Sequence, residues 1–138
     1  MDTLNMTYVI HPESIEKWPL GKHVGVESKL LADGQNITVL WSAWDPGAIA
    51  PEHIHPHEQM GICLQGEIIF TIEGKDYLVK TGEYYHIPPN APHAERNEGS
   101  VTAILTDFFS PVRSDLLNRQ FQPKIVGEEF KDSENSED

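Results

Sequence analysis

At 138 residues with 38% hydrophobic content, the chain is sized for one compact domain with a modest core of its own. A formal net charge of −12 argues against nucleic acid and anionic membrane surfaces as partners. A single cysteine, Cys63, excludes an internal disulfide framework; in the apolar run "MGICLQG" it reads as a small buried hydrophobe rather than a nucleophile.

The punctuation along the chain is that of an all-β protein. A first stretch, "PESIEKW", has helical character. The run "ITVLWSAW" then reads as a strand closed by the turn signal "DPGA", with Trp41 and Trp44 on opposite faces, so at most one of them faces a cavity. Core packing or a subunit contact is the expected role of both. "MGICLQ", "EIIFTI", "YLVK" and "HAERN" follow as short strands, separated by Gly66, "EGKD" and "TGE". No role is assigned to Tyr84 or Tyr85. Strands at this spacing predict a sandwich or a small barrel.

The last long run, "VTAILTDFF", alternates. Val101, Ala103, Leu105, Asp107 and Phe109 share its more apolar face. A carboxylate in that row is costly unless paired or used, but a strand that exits to solvent there would leave Asp107 an ordinary turn acid. "SPVRSDLLNRQ" then reads as a helix with Ser110 as N-cap, Pro111 in the first turn and Asp115 near the N-terminus. Residues 1–126 are expected to form the domain. Residues 127–138 carry six acids against one lysine and read as a solvated or disordered tail. Without a signal-peptide-like start or a bilayer-spanning run, the expected location is the cytoplasm.

Chemistry concentrates in "PEHIHPHEQM". His53 and His55 share one side of an extended segment, as two imidazoles sharing an ion must. Pro56 interrupts that row, so His57 does not continue it. The spacing runs Gly47, five residues, His53, one, His55, three, Gln59, six, Gly66. A second frame runs Gly82, five residues, Pro88, one, Asn90, two, His93, three, Asn97.

These frames, residues 47–66 and 82–97, resemble the paired motifs of the cupin superfamily. The resemblance implies a double-sheet jelly-roll barrel of six to eight strands holding one divalent ion on His53, His55, Gln59 and His93. Nickel, zinc, manganese and iron are the candidate metals. Two positions depart from the usual pattern. Asn90 replaces a glycine, and asparagine is tolerant of a left-handed turn. Gln59 replaces a glutamate, which leaves the ion's double charge uncompensated and favours an anionic or hydroxyl-bearing ligand. His57 is expected to face solvent, and His11, His23 and His86 to take surface or packing roles.

The longer run from His55 to His93, followed by "LTDFFSPVRSDLL", resembles the small single-domain cupins of pectin degradation, the KdgF family. That resemblance implies conversion of 4,5-unsaturated uronates, from pectin or alginate breakdown, into linear 5-keto-4-deoxyuronates. It places Asp107, Phe109 and Arg113 at the catalytic positions and suggests a homodimer paired through N-terminal strands. Two other readings share the scaffold: a quercetinase-like or thiol-dioxygenase-like metal enzyme, and a non-catalytic module binding a sugar acid or a metal. The sequence shows no DNA-binding helix pair, so a transcriptional regulator is not expected.

Overall fold

The computed structural model describes residues 8–118 and 124–125. The acidic segment 127–138 and the C-terminal end of the expected domain lie outside the described residues. Among the described residues ten strands form the architecture: β1 (Trp18–Pro19), β2 (Val24–Asp33), β3 (Thr38–Ile54), β4 (Glu58–Gln65), β5 (Glu67–Ile72), β6 (Lys75–Lys80), β7 (Tyr84–Ile87), β8 (His93–Arg96), β9 (Ala103–Ser110) and β10 (Lys124–Ile125). All pairings are antiparallel. Seven strands run in the order β6-β5-β8-β3-β9-β4-β7 around a nearly closed barrel, and β2, with β1 beside it, extends it from β3.

β3 joins the two sheets. Its first half, Thr38 to Trp44, pairs with β9, and its second half, Ile49 to His53, pairs with β8. Asp45–Ala48, expected to reverse the chain, only bends it. Gly47 at φ +88° supplies a left-handed residue there, and both flanks stay hydrogen-bonded to neighbours that hold the chain extended. A local turn signal was overridden by pairing on both sides. The β5–β6 hairpin is closed where expected, by Glu73 and Gly74, both at positive φ.

Inward residues alternate along the strands and fill the interior with Leu40, Trp44, Cys63, Ile68, Phe70, Ile87, Leu105 and Phe109. The Cys63 thiol is fully buried and donates to the Gln65 and Gly66 carbonyls, in line with a packing role. Trp44 is buried and donates its indole N–H to Ser42 Oγ; Trp41 lies outward beneath the Lys29 ammonium. At Asn97, the last residue of the second frame, the side-chain amide donates to the Trp44 and Val101 carbonyls and its oxygen accepts from Gly99 N–H. This residue clamps three chain segments together.

Neither expected helix forms as read. Near the start only Pro12–Ser14 makes a single 3-10 turn, and Trp18 pairs in β1 instead, with its ring in the core. After β9, Ser110 is the last strand residue rather than an N-cap, paired across from Glu58. The helical turn is a 3-10 segment, Ser114–Asn118. Tertiary demands set this path: the Arg113 N–H donates to buried Thr38 Oγ1 at 2.7 Å, and the Leu116 side chain is buried in the core.

Candidate metal centre

A cavity in the barrel is lined by His23, Trp44, His53, His55, Gln59, Glu95, Asp107, Phe109 and Arg113, with Leu20, Leu40, Ser42 and Leu116 around them. The free space at its floor is about 40 Å³. That suits an ion with one or two small ligand atoms; a sugar ring must occupy the mouth. A larger groove of about 650 Å³, between β6 and β7, holds none of the clustered imidazoles.

The three imidazoles arrive by different routes. His53 pairs directly opposite His93 across β3 and β8. A bulge between Ala50 and His53 resets the alternation, so that both residues point inward. His55 follows one residue past β3 on the same face. The ligand atoms of His53, His55 and His93 lie within 4.8 Å of one another.

In each ring, Nδ1 faces a backbone carbonyl: Pro51 at 2.7 Å for His53, His57 at 3.1 Å for His55, and Ala91 at 2.8 Å for His93. A carbonyl only accepts, so each Nδ1 carries the proton and each Nε2 presents a lone pair. Burial, the largest cause, depresses all three pKa values, to about 3 for His55, so the rings are neutral at physiological pH.

Two observations show that these residues fit a metal ion. The buried Nε2 of His93 has no hydrogen-bond partner among the described residues. The second involves Gln59, whose Nε2 donates to Asp107 Oδ1 at 3.0 Å and so fixes the amide orientation. Its Oε1 therefore lies 3.1 Å from His55 Nε2, lone pair against lone pair. A cation held by His53, His55, His93 and Gln59 would relieve that repulsion. Gln59, which the cupin resemblance implies as a ligand, is thus placed with the three histidines.

Gln59 also explains its own departure from glutamate. Asp107 lies inward on β9, among Leu105 and Phe109, and accepts from Tyr85 Oη at 2.7 Å as well as from Gln59. A glutamate at position 59 would set a second carboxylate against it. Burial pushes the Asp107 pKa up to about 6, and the two hydrogen bonds and Arg113 offset part of that rise. Of the two readings of Asp107, the structure selects the inward one. Gly61 makes room for this arrangement: a Cβ there would lie 2.6 Å from Asp107 Oδ1 and would also clash with the Tyr85 hydroxyl.

Arg113 is buried at the cavity wall. Its guanidinium lies 4.7 Å over the Phe109 ring and donates from Nε and a terminal nitrogen to Asp115. Phe109 packs edge-on to His55 at 5.7 Å, so it belongs both to the core and to the cavity.

Four residues differ from expectation. His57 does not face solvent; it is half-buried, with burial lowering its pKa and a hydrogen bond to the Val112 backbone, because the 111–115 segment folds over it. His23 is not an ordinary packing residue. The turn closed by His23 N–H donating to the Leu20 carbonyl turns its ring toward the cavity, 5.4 Å from the ring of His53. Tyr85 was assigned no role in the sequence, and Glu95 drew no attention there. Glu95 sits two residues beyond His93 on the same inward row of β8, a position that strand alternation alone could have found. As expected, His86 and His11 are surface residues, the first hydrogen-bonded to Glu58 and the second close to Glu13.

The fold is a nearly closed antiparallel barrel with three imidazoles gathered inside it, a group that could hold a metal ion. The Cupin domain family model matches residues 40–109, and the chain belongs to the cupin family. It is 32% identical over 96 residues to the pectin degradation protein KdgF of Dickeya dadantii, covering 67% of this chain and 84% of that one. It is 35% identical over 91 residues to the HTH-type transcriptional regulator PuuR of Escherichia coli, covering 63% of this chain; the chain spans 49% of that regulator's length. The solved structure of KdgF from Halomonas superposes with a TM-score of 0.73 at 21% identity, over 80% of this chain and 99% of that one, a likeness of fold.

Proposed function

We propose that the protein is a metal-dependent cupin of pectin or alginate breakdown that converts 4,5-unsaturated uronates into linear 5-keto-4-deoxyuronates. The observation that carries this reading is Asp107: a buried carboxyl with a pKa of about 6, on the wall of the imidazole cavity beside Arg113. The 32% identity to a protein of pectin degradation supports the substrate class.

The reaction is an isomerisation. The anomeric hydroxyl loses its proton, the C1–ring-oxygen bond breaks to give an aldehyde, and the resulting enol takes a proton at C4 to become the C5 ketone. Both hydrogen bonds to Asp107 end on Oδ1, leaving Oδ2 to exchange a proton with the ligand; a pKa near neutrality suits both directions of transfer. Arg113 binds the substrate carboxylate, its guanidinium positioned by Asp115 and by the face of Phe109. Phe109 shields the reacting ring from water. Tyr85 positions Asp107 and holds Oδ1 in one orientation. A divalent ion on His53, His55, His93 and Gln59 would supply Lewis-acid stabilisation of negative charge developing on a sugar oxygen.

Among the described residues no helix is long and apolar enough to cross a membrane. A cytoplasmic location belongs to the proposal, as does a homodimer; the exposed apolar pair Val24 and Ile49, across β2 and β3, supports the latter.

The test is loss of the ultraviolet absorbance of the conjugated alkene-carboxylate, with unsaturated monouronates of pectin and alginate origin. Acceleration over the spontaneous rate that disappears on stripping the metal supports the proposal. No acceleration by metal-loaded protein on either substrate removes it. The identity to a transcriptional regulator favours a second reading, a barrel that binds a sugar acid without turning it over. Saturable binding without turnover would establish that reading.

A further inference from the structure

The cavity contains more donors than one ion uses. Besides the three-histidine group, His23, His53 and Glu95 also present ligand atoms within 4.8 Å of one another. One of these groups lacks a partner of its own. The Nδ1 of His23 is buried and unpartnered among the described residues. The Glu95 side chain is only 6% exposed and lines the cavity. A buried imidazole nitrogen without a partner is costly, and a fold that places it and a carboxyl beside a third ligand atom calls for an occupant.

We propose that His23, His53 and Glu95 form a second position for a first-row divalent cation, alternative to the one on His53, His55 and His93. Two imidazoles and a carboxylate are a donor set that zinc and iron accept with coordination sites to spare. The two positions exclude each other. His53 Nδ1 is committed to the Pro51 carbonyl, which leaves Nε2 as its single metal-binding atom, and that lone pair serves one ion at a time.

The positions differ in charge. On the side of His55, His93 and Gln59 every ligand is neutral, so an ion there keeps its charge for an incoming anion. On the side of His23 and Glu95 a carboxylate compensates it. The second position therefore holds the ion when no anionic ligand is bound, and an anion in the cavity draws it to the first. This inference rests on metal binding at the cupin site and not on the uronate reaction.

Anomalous diffraction from zinc-loaded crystals of the full chain, grown without carboxylate buffers, tests it. The main peak is expected on His23, His53 and Glu95, and Glu95→Gln should leave only the peak on His53, His55 and His93. In solution, the double variant His55→Ala/His93→Ala should retain one zinc per chain by metal analysis, with weakened affinity, and adding Glu95→Gln should remove it. A single wild-type peak on the three histidines, with only a water between His23 and Glu95, overturns the proposal. So does a folded double variant, by circular dichroism, that holds no zinc. Should the double variant not fold, the wild-type and Glu95→Gln maps decide alone. Because every readout is occupancy, failure of the uronate assay leaves this test intact.

Discussion

The two walls of the cavity are built in different ways. On the imidazole wall, each ring is aimed by a carbonyl two residues away in sequence: Pro51 for His53, His57 for His55, Ala91 for His93. On the acid wall the decisive contacts are long-range. Tyr85 and Gln59 reach Asp107 from 22 and 48 residues away, and Thr38 fixes the Arg113 backbone from 75 away. The aim of each ring on the first wall is written into its own short segment, whereas the contacts of the second exist only once the barrel has closed. A change on the imidazole wall should therefore act through the metal, and one on the acid wall through proton transfer and folding together.

The largest separation of the two walls should come from Asp107→Asn. Loss of a general acid–base group predicts a fall in turnover of roughly 10²- to 10⁴-fold, with zinc or nickel content unchanged by metal analysis. Unaltered turnover would remove Asp107 from the chemistry.

Gly61→Ala should follow. Its Cβ meets the Tyr85 hydroxyl and Asp107 Oδ1 together, so it separates that pair and strains β4 against β7. A loss of about 2 kcal/mol in urea unfolding is expected, with lowered turnover. Tyr85→Phe removes the hydrogen bond without the clash and should cost less stability, which apportions the effect.

The metal-free protein should carry the signature of both walls in its pH dependence. Burial pushes the Glu95 pKa up to about 8, so the folded state holds that proton more tightly than the unfolded chain does. Its contribution is complete at low pH and is lost as pH rises through about 8. His53, His55 and His23 act in the opposite sense, because burial lowers their pKa values and the fold resists their protonation as pH falls below 6.5. Stability should peak near pH 6.5 and fall by roughly 2 kcal/mol toward pH 8. Thermal unfolding of Glu95→Gln should lose the alkaline fall and keep the acid one.

Gln59→Glu gives the smallest expected change and the sharpest one, because Gln59 belongs to both walls. It replaces a donor to Asp107 by a like charge and gives the ion an anionic ligand. The acid limb of the pH–rate profile should move up by about one unit while metal affinity rises. A profile that stays in place would show that Asp107 is not the group titrating there.

Much of the fold was legible because alternation and turn chemistry are local. The β5–β6 hairpin and the two alternating faces of β9 followed from residues close in sequence, and Asn90, at φ +66°, takes the left-handed turn that its side chain tolerates. The two helices were misread for the same reason. Pro, Ser and Asp near Ser110 satisfy every local rule for a helix start, yet pairing with β4 carries the strand through Ser110 and Thr38 holds Arg113 beyond it. His23 and Glu95 escaped because neither has a partner in its own segment.

By itself the sequence determined the alternating strands and turns, since two-residue periodicity acts within each strand, and its two motif frames carried the resemblance that implied the barrel and the histidine set. Only the tertiary structure decided that Asp107 faces inward, that Gln59 bridges it to the imidazoles, and that His23 and Glu95 share their cavity. Those relations join strands distant in the chain, and an interior of low dielectric gives each charge and each missing hydrogen bond its weight.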